Sequence, residues 1–451
     1  MNNFSVAKFG GTSMADYEAM VKSANIVLID NAVRLVVVSA CSGMTNRFVA
    51  LASGNLDEYQ RLEEVASIAD HHRQILSHIS DDAQLHEQLE NRISEFAATT
   101  VAAKGELSAN ARAATTDALL SFGELLSSFL FSQVLIQLGA HSTWFDVRTV
   151  MATDSRHNKA EPQIEAIAAN AQQLLLPQVE QAIVVTQGFI GRNHEGVTTT
   201  LGRGGSDYSA ALLAEGLQAQ CLQIWTDVAG VYTTDPRIAP AAYAMEEISF
   251  AEAAELATFG AKVLHPSTLW PAIRQNISVF VGSSRNPKLP GTWIKQTVES
   301  APSYRALATR SNQTLVTVSS LNMLHAHGFL AKVFGILANH KISVDLVTTS
   351  EVSVALTLDS VATGSSGLTD EVIAELSEMC DVKVENDLAL VAVVGNGLDQ
   401  QRGVASRLFG KLDNYNLRLI CHGASGNNVC FLVSQHEAND IVCSLHREIF
   451  E

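Results

Sequence analysis

Cysteine is scarce and scattered: Cys41, Cys221, Cys380, Cys421, Cys430 and Cys443 contain no C-x-x-C pair, which excludes a zinc ribbon and a disulfide framework and predicts free, mostly buried thiols. Basic charge is equally short. Thirty Lys and Arg against 47 Asp and Glu leave a net charge of -17, and no basic stripe offsets it locally, so nucleic acid is not expected as a partner. No uninterrupted apolar run reaches the roughly 18 to 20 residues of a membrane-spanning helix, so no membrane association is expected. Met1 to Gly11 runs directly into a strand-like stretch without a basic segment and a long apolar region, from which a cytoplasmic location is expected. The phosphate-binding patterns G-x-x-x-x-G-K-[ST] and G-x-G-x-x-G are absent too, so any nucleotide site must be built another way.

What is present is length and apolar content. The 451 residues are 47% hydrophobic, enough for two or three domains with cores of their own. From residue 4 to about 284, short β-branched runs alternate with helical patterns, the rhythm of βαβ units and a largely parallel sheet. The strand candidates are Ser5 to Phe9, Arg34 to Ala40, Ala182 to Gln187, Cys221 to Asp227 and Ser278 to Val281. Glu58 to Thr100 reads as two helices, a helical insertion at about 56–103. Proline, glycine and serine concentrate between Ser283 and Pro302, marking a boundary.

Beyond it the sequence repeats at an offset of 75 residues. Leu315 maps to Leu390, Gly328 to Gly403, Phe334 to Phe409, Gly335 to Gly410 and Ser350 to Ser425. Each copy reads as β-α-β-β, with a glycine opening the helix and alternating apolar residues such as Val352, Val354, Leu356 and Leu358 along a strand. The expected domains are 1–295, 305–385 and 386–451.

In open α/β sheets ligands bind at the carboxyl ends of the strands, and four loops there carry candidate chemistry. Lys8-Phe9-Gly10-Gly11-Thr12-Ser13 combines a cation with glycines that let backbone N–H groups approach a phosphate; a tight turn capped by Ser13 is the plainer alternative. Ser39 to Asn46, with Cys41 and Thr45, offers small hydroxyl residues or an ordinary helix cap. Thr200-Leu201-Gly202-Arg203-Gly204-Gly205-Ser206-Asp207 sets three glycines and an arginine at a helix start, suited to an anion; a cap alone explains Ser206 or Asp207 but not their neighbours. Thr226 to Arg237 supplies Asp227, Tyr232, Asp235 and Arg237, residue types that also populate turns. Lys262, in Phe259-Gly260-Ala261-Lys262-Val263-Leu264-His265-Pro266, is a second candidate phosphate ligand or an exposed lysine.

Together the motifs K-F-G-G-T-S, T-L-G-R-G-G-S-D, T-D-V-x-G-V-Y-T-T-D-P-R and F-G-A-K-V-L-H-P resemble, in order, those of the amino acid kinase family, specifically aspartokinases, and the repeats resemble paired ACT domains. The segment Met323 to Leu330 looks like the lysine-sensitive, monofunctional type. The resemblance implies an amino acid kinase fold, a mostly parallel open sheet between helices, followed by two ferredoxin-like ACT domains. It implies ATP- and Mg2+-dependent phosphorylation of the L-aspartate β-carboxylate to 4-phospho-L-aspartate, opening lysine, threonine and methionine biosynthesis, with feedback inhibition by L-lysine. It further implies catalytic Lys8, Asp207 and Lys262; aspartate contacts from Thr45, Glu124, Arg203, Gly204, Gly205 and Ser206; and nucleotide contacts from Lys8, Gly10, Gly11, Ser13, Thr226, Asp227, Tyr232, Asp235, Arg237, Lys262 and Val263. No resident metal site is implied.

Allosteric lysine is expected at Met323, Ala326, Gly328, Phe329, Leu330, Ser343, Val344, Asp345, Ser350 and Glu351. The helix start at Gly328 suits a carboxylate and the two acids suit ammonium groups. At the 75-residue offset Asp345 becomes Ile420 and Glu351 becomes Gly426, so the second copy is expected to be structural. A homodimer or homotetramer through the ACT domains is expected. Two other readings stand beside this one: a different amino acid kinase, and a non-catalytic amino-acid sensor.

Overall fold

The computed structural model describes residues 2–103, 108–260, 264–323, 327–359 and 367–451. They form two compact units, one of Met1–Val231, Ala244–Phe250 and Lys262–Val298, the other of Tyr232–Tyr243, Ala251–Ala261 and Glu299–Glu451.

The strands of the first unit are β1 (Asn2–Phe9), β2 (Val33–Val38), β3 (Ser142–Phe145), β4 (Ile183–Gln187), β5 (Ile190–Arg192), β6 (Thr198–Thr200), β7 (Ala219–Thr226), β8 (Glu247–Ser249), β9 (Ser278–Ser283) and β10 (Thr292–Lys295). Eight make one sheet in the order β3-β4-β2-β1-β7-β9-β10-β8, while β5 and β6 pair as a separate hairpin. Every pair in the large sheet is parallel except β9 with β10. The runs Val33–Val38 and Ile183–Gln187 are buried almost throughout, without alternation, because both faces of a parallel sheet are covered. All five strands read from the sequence are present with ends shifted by a few residues. The short β3, β5, β6, β8 and β10 gave no comparable signal.

Residues 58–102 form the helices Glu58–Ile79 and Ala83–Ala102. The first begins in a reciprocal capping box between Asp57 and Gln60. The Ala109–Gln137 helix, capped by Ser108, is by length and composition apolar enough to cross a membrane, but 89% of its apolar window is buried inside this protein. It is the core helix of the unit. Its close approach to the loop after β2 depends on Gly123, where an added Cβ would stand 2.7 Å from Ala40 Cβ and 3.2 Å from the Phe48 ring.

The second unit contains β11 (Tyr304–Ser319), β12 (Leu346–Thr349), β13 (Ser353–Asp359), β14 (Asp381–Gly395), β15 (Leu419–His422) and β16 (Asn428–Ser434). They form one antiparallel sheet, β12-β13-β11-β14-β16-β15, so the two repeat copies share a continuous sheet joined at β11 and β14. The helices Phe329–Asn339 and Val404–Phe409 each start at a left-handed glycine, Gly328 (φ 81°) and Gly403 (φ 76°). Each copy packs its own core, Val316, Val333, Leu337 and Leu356 in the first, Val391, Leu408, Phe431 and Ile441 in the second. A further helix closes each copy, Asp370–Ser377 and Ala438–Phe450. Within this unit Glu252 is buried between Arg305 Nε at 2.6 Å and Asn396 Nδ2 at 2.7 Å, and Glu255 accepts from Ser425 and Asn428.

In most helices Gly→Ala is stabilising. Gly123→Ala is expected instead to destabilise the protein by roughly 1–3 kcal/mol, because backbone and side chains must shift to admit the methyl group. Denaturant unfolding checks this, and equal or raised stability would show that the helix and the Ala40 loop do not constrain each other.

Candidate active site

Because β4, β2, β1, β7 and β9 run parallel side by side, the loops after them open on the same edge of the sheet. Lys8, next to last in β1, is flanked by Val37 of β2 and Ile224 of β7, and is only 8% exposed. A cation this enclosed requires a partner. It has one: Lys8 Nζ lies 2.6 Å from Asp207 Oδ1. Asp207 stands in the first turn of the Gly205–Gly216 helix, where the positive end of the helix favours a carboxylate.

That helix is introduced by Gly204 at φ 72°, and a Cβ there would stand 2.6 Å from the His265 Cβ and 2.8 Å from its ring. Handedness and space both demand glycine. On the opposite side Gly188, after β4, lies so close to Ser206 that an added Cβ would be 2.6 Å from the Ser206 Cβ. Ser206 and Asp207 are thereby set against the ends of β4 and β1. Arg203 is exposed on the loop and has no ion pair among the described residues. His265 caps the Pro266–Gln275 helix; its pKa is lowered chiefly by burial and further by the charges of Arg203 and Lys159, against the pull of Asp207.

Glu124 enters from the core helix and is buried. Burial lifts its pKa to about 8, while the backbone N–H groups of Ala40 and Glu124 and the charge of Lys8 pull the other way. Lys8, Asp207 and Glu124 therefore occupy one neighbourhood at the carboxyl ends of β1 and β2. Thr45 is exposed in the first turn of the Met44–Ser53 helix, beyond the left-handed Gly43. Cys41 is buried and its thiol is pushed up to about 12, mainly by desolvation, which makes it a poor nucleophile.

Gly10 and Gly11 lead from β1 into a short 3-10 turn. Gly10 N–H donates to Trp225 O at 3.2 Å, and a Cβ at Gly11 would reach Ala40 O at 3.0 Å. Ser13 is turned inward, its hydroxyl 2.6 Å from Ser284 Oγ and its carbonyl accepting from Ser23. Thr226 ends β7 with its hydroxyl 3.3 Å from Asp227 Oδ1. Tyr232, Asp235 and Arg237 belong to the stretch that clusters with the second unit, where Arg237 NH2 meets Asp235 Oδ2 at 2.6 Å. Lys262 and Val263 lie outside the described residues, as does Ala326.

In the second unit Gly328, Phe329 and Leu330 open the Phe329–Asn339 helix, while Met323, Phe329 and Val344 pack on the first-copy core. Ser343 and Glu351 are exposed, and Ser350 closes a turn onto Ser353. Asp345 is engaged from within: Arg310 NH2 stands 3.2 Å from Asp345 Oδ2 and also pairs with Asp359. Burial raises the Asp345 pKa and Arg310 works against that shift.

The amino acid kinase family model matches residues 3–283, and an ACT-domain model matches residues 391–449. The chain belongs to the amino acid kinase family, among its aspartokinases. It is 53% identical to the lysine-sensitive aspartokinase 3 of Escherichia coli, with all of both chains covered, and 34% identical to the chloroplastic aspartokinase 1 of Arabidopsis thaliana over 99% of this chain and 80% of that one. The crystal structure of E. coli aspartokinase III with aspartate and ADP (R-state) is 52% identical and matches with a TM-score of 0.89 over 99% of this chain and 100% of that one. That of the same enzyme with lysine and aspartate (T-state) is 52% identical, with a TM-score of 0.84 over all of both chains.

Sequence reasoning gave no role to His265, Gly188, Ser284 or Asp117. His265 sits inside the F-G-A-K-V-L-H-P motif, while the others show their contacts only across large sequence separations.

The Glu124 carboxyl gives a pH signature. Its folded pKa, about 8, lies above the ordinary 4.5, so between those values the folded protein holds a proton that the unfolded chain has lost. Stability contributed by this group is full below about pH 4.5 and falls as pH rises toward 8, by on the order of 1 kcal/mol per pH unit. Glu124→Gln is expected to flatten the decline seen by denaturant unfolding between pH 5 and 8; parallel profiles for the two proteins would contradict the assignment.

Proposed function

We propose that the chain transfers the γ-phosphoryl group of ATP to the β-carboxylate of L-aspartate, giving 4-phospho-L-aspartate and ADP, and that L-lysine bound at the first ACT copy inhibits the reaction. The observation that carries the catalytic reading is the Lys8–Asp207 ion pair at the carboxyl end of the central strand, beside buried Glu124.

The acceptor carboxylate is ionised at neutral pH, its unperturbed pKa being about 3.9, so no general base is needed. A carboxylate oxygen forms the new bond to the γ-phosphorus as the bond from that phosphorus to the bridging oxygen breaks, and ADP leaves. What the protein must supply is alignment and positive charge around the transferring group. Lys8 supplies charge and Asp207 fixes its direction, with Gly10 and Gly11 admitting the phosphates. Glu124 faces the ammonium of aspartate and gives up its proton as that cation arrives, Arg203 faces a carboxylate, and Thr45, Gly204, Gly205 and Ser206 complete the acceptor pocket. The resemblance adds Lys262 as a second cation and gives nucleotide contacts to Ser13, Thr226 and Asp227, with Tyr232, Asp235, Arg237 and Val263 as further candidates.

Magnesium travels with the nucleotide in this reading. Among the described residues no group of three or more His, Cys, Asp or Glu could hold a metal ion, and phosphate oxygens with water make the usual magnesium shell. Such an enzyme draws on cytoplasmic ATP, and we place it there. The edge strands β12 and β15 offer unpaired backbone for a homodimer or homotetramer.

For lysine, the amides at Gly328 to Leu330 suit the carboxylate, with Asp345 and Glu351 for the two ammonium groups. Met323, Phe329, Ser343, Val344 and Ser350 form the surroundings, and the resemblance adds Ala326. Arg310 already neutralises Asp345, so an arriving ammonium shares or displaces that guanidinium.

Aspartate-dependent ATP consumption, assayed with and without lysine, tests both halves. Lys8→Ala is expected to lower turnover by at least ~100-fold, the scale for removing a preorganised charge; near-normal turnover in a folded variant would count against the phosphate role. Asp345→Ala is expected to raise the lysine concentration for half-inhibition at least ~10-fold, and an unchanged inhibition curve would remove the lysine site from the first copy.

A further inference from the structure

The core helix carries a second enclosed carboxylate that the reaction as described leaves unused. Asp117 lies seven residues before Glu124, about two helical turns, so the two acids leave the helix on the same side. Its side chain is 0% exposed. It accepts from Thr200 Oγ1 at 2.6 Å, from His157 Nδ1 at 2.8 Å and from the backbone N–H of Asn158 at 3.0 Å. These donors come from two segments remote from the helix in sequence. Thr200 ends β6 three residues before Arg203, and Asn158 sits at φ 66°, a left-handed conformation that asparagine tolerates. The two segments are also joined directly, Ala160 N–H donating to Thr200 O at 2.8 Å.

We infer that Asp117 is a positioning residue for the acceptor substrate: by holding Thr200 against the helix that bears Glu124, it sets the span between the Glu124 carboxylate and the loop bearing Arg203. An amino acid gripped by its ammonium at one end and a carboxylate at the other is selected by length, so this span decides between aspartate and its one-methylene-longer homologue. The inference rests on the proposed roles of Glu124 and Arg203. It goes beyond them in giving the discrimination a structural cause.

The test removes the hydroxyl that Asp117 holds. Thr200→Val and Asp117→Asn are expected to raise KM for aspartate at least ~10-fold and to narrow the preference for aspartate over glutamate, with kcat and KM for ATP changed less than ~3-fold. Thr200→Ser, which keeps the hydroxyl, is expected to restore nearly normal KM. Added to Arg203→Ala, Thr200→Val is expected to cost little more, because the latch acts through the arginine loop. An unchanged aspartate KM in folded Thr200→Val, or equal losses toward aspartate and ATP, would overturn the inference. Should Asp117→Asn fail to fold, Thr200→Val carries the test alone. If Arg203→Ala itself leaves the aspartate KM unchanged, the reading of the acceptor pocket fails; if Arg203→Ala raises it and Thr200→Val does not, only the latch is wrong.

Discussion

A lysine inside the central strand of a parallel sheet cannot stay charged without a counter-charge, and Lys8 meets Asp207 at 2.6 Å. Much of the first unit follows from that constraint. The Gly205–Gly216 helix must begin where its first turn faces β1, which requires the left-handed turn at Gly204 and the tight contacts at Gly188 and His265. The pair is enclosed by packing yet lies at the strand end. Breaking a buried pair costs far more than its formation contributes, so the sheet and the helix hold the ammonium in one direction before any substrate arrives.

The core helix carries two further buried acids. Ala109–Gln137 is apolar enough that its two deep acids, Asp117 and Glu124, stand out as exceptions. Asp117 is saturated by three donors from neighbouring segments, whereas Glu124 receives backbone N–H groups and the field of Lys8 and remains raised to about 8. A carboxylate that protein donors have not fully satisfied is suited to a ligand's ammonium. The fully satisfied one is suited to holding structure.

The fold was largely legible because its signals are local. Apolar runs marked the long strands, glycine clusters marked their ends, and the 75-residue offset exposed the two copies that share the antiparallel sheet. The short strands β3, β8 and β10 escaped because three or four residues carry too little periodicity. Among the candidate site residues, Lys8, Arg203 and Asp207 were visible as charges beside glycines. Glu124 came only from the resemblance, since a glutamate within a helix reads as a solvated face until burial is known. Asp117 could not be found at all: its partners are 40, 41 and 83 residues away in sequence. In the ACT region the acid at Asp345 was readable, but its occupation by Arg310 was not.

The first unit carries the Lys8–Asp207 pair at a strand end, and in the second unit Asp345 and Glu351 of the first copy have Ile420 and Gly426 as counterparts in the second. Phosphoryl transfer here ends on a carboxylate of aspartate. Trapping with hydroxylamine tests it most directly: purified protein with ATP, magnesium and aspartate should yield aspartyl β-hydroxamate, with far less product from glutamate or acetylglutamate. Absence of the aspartyl product from folded protein, or an equal yield from the longer acids, would contradict the account.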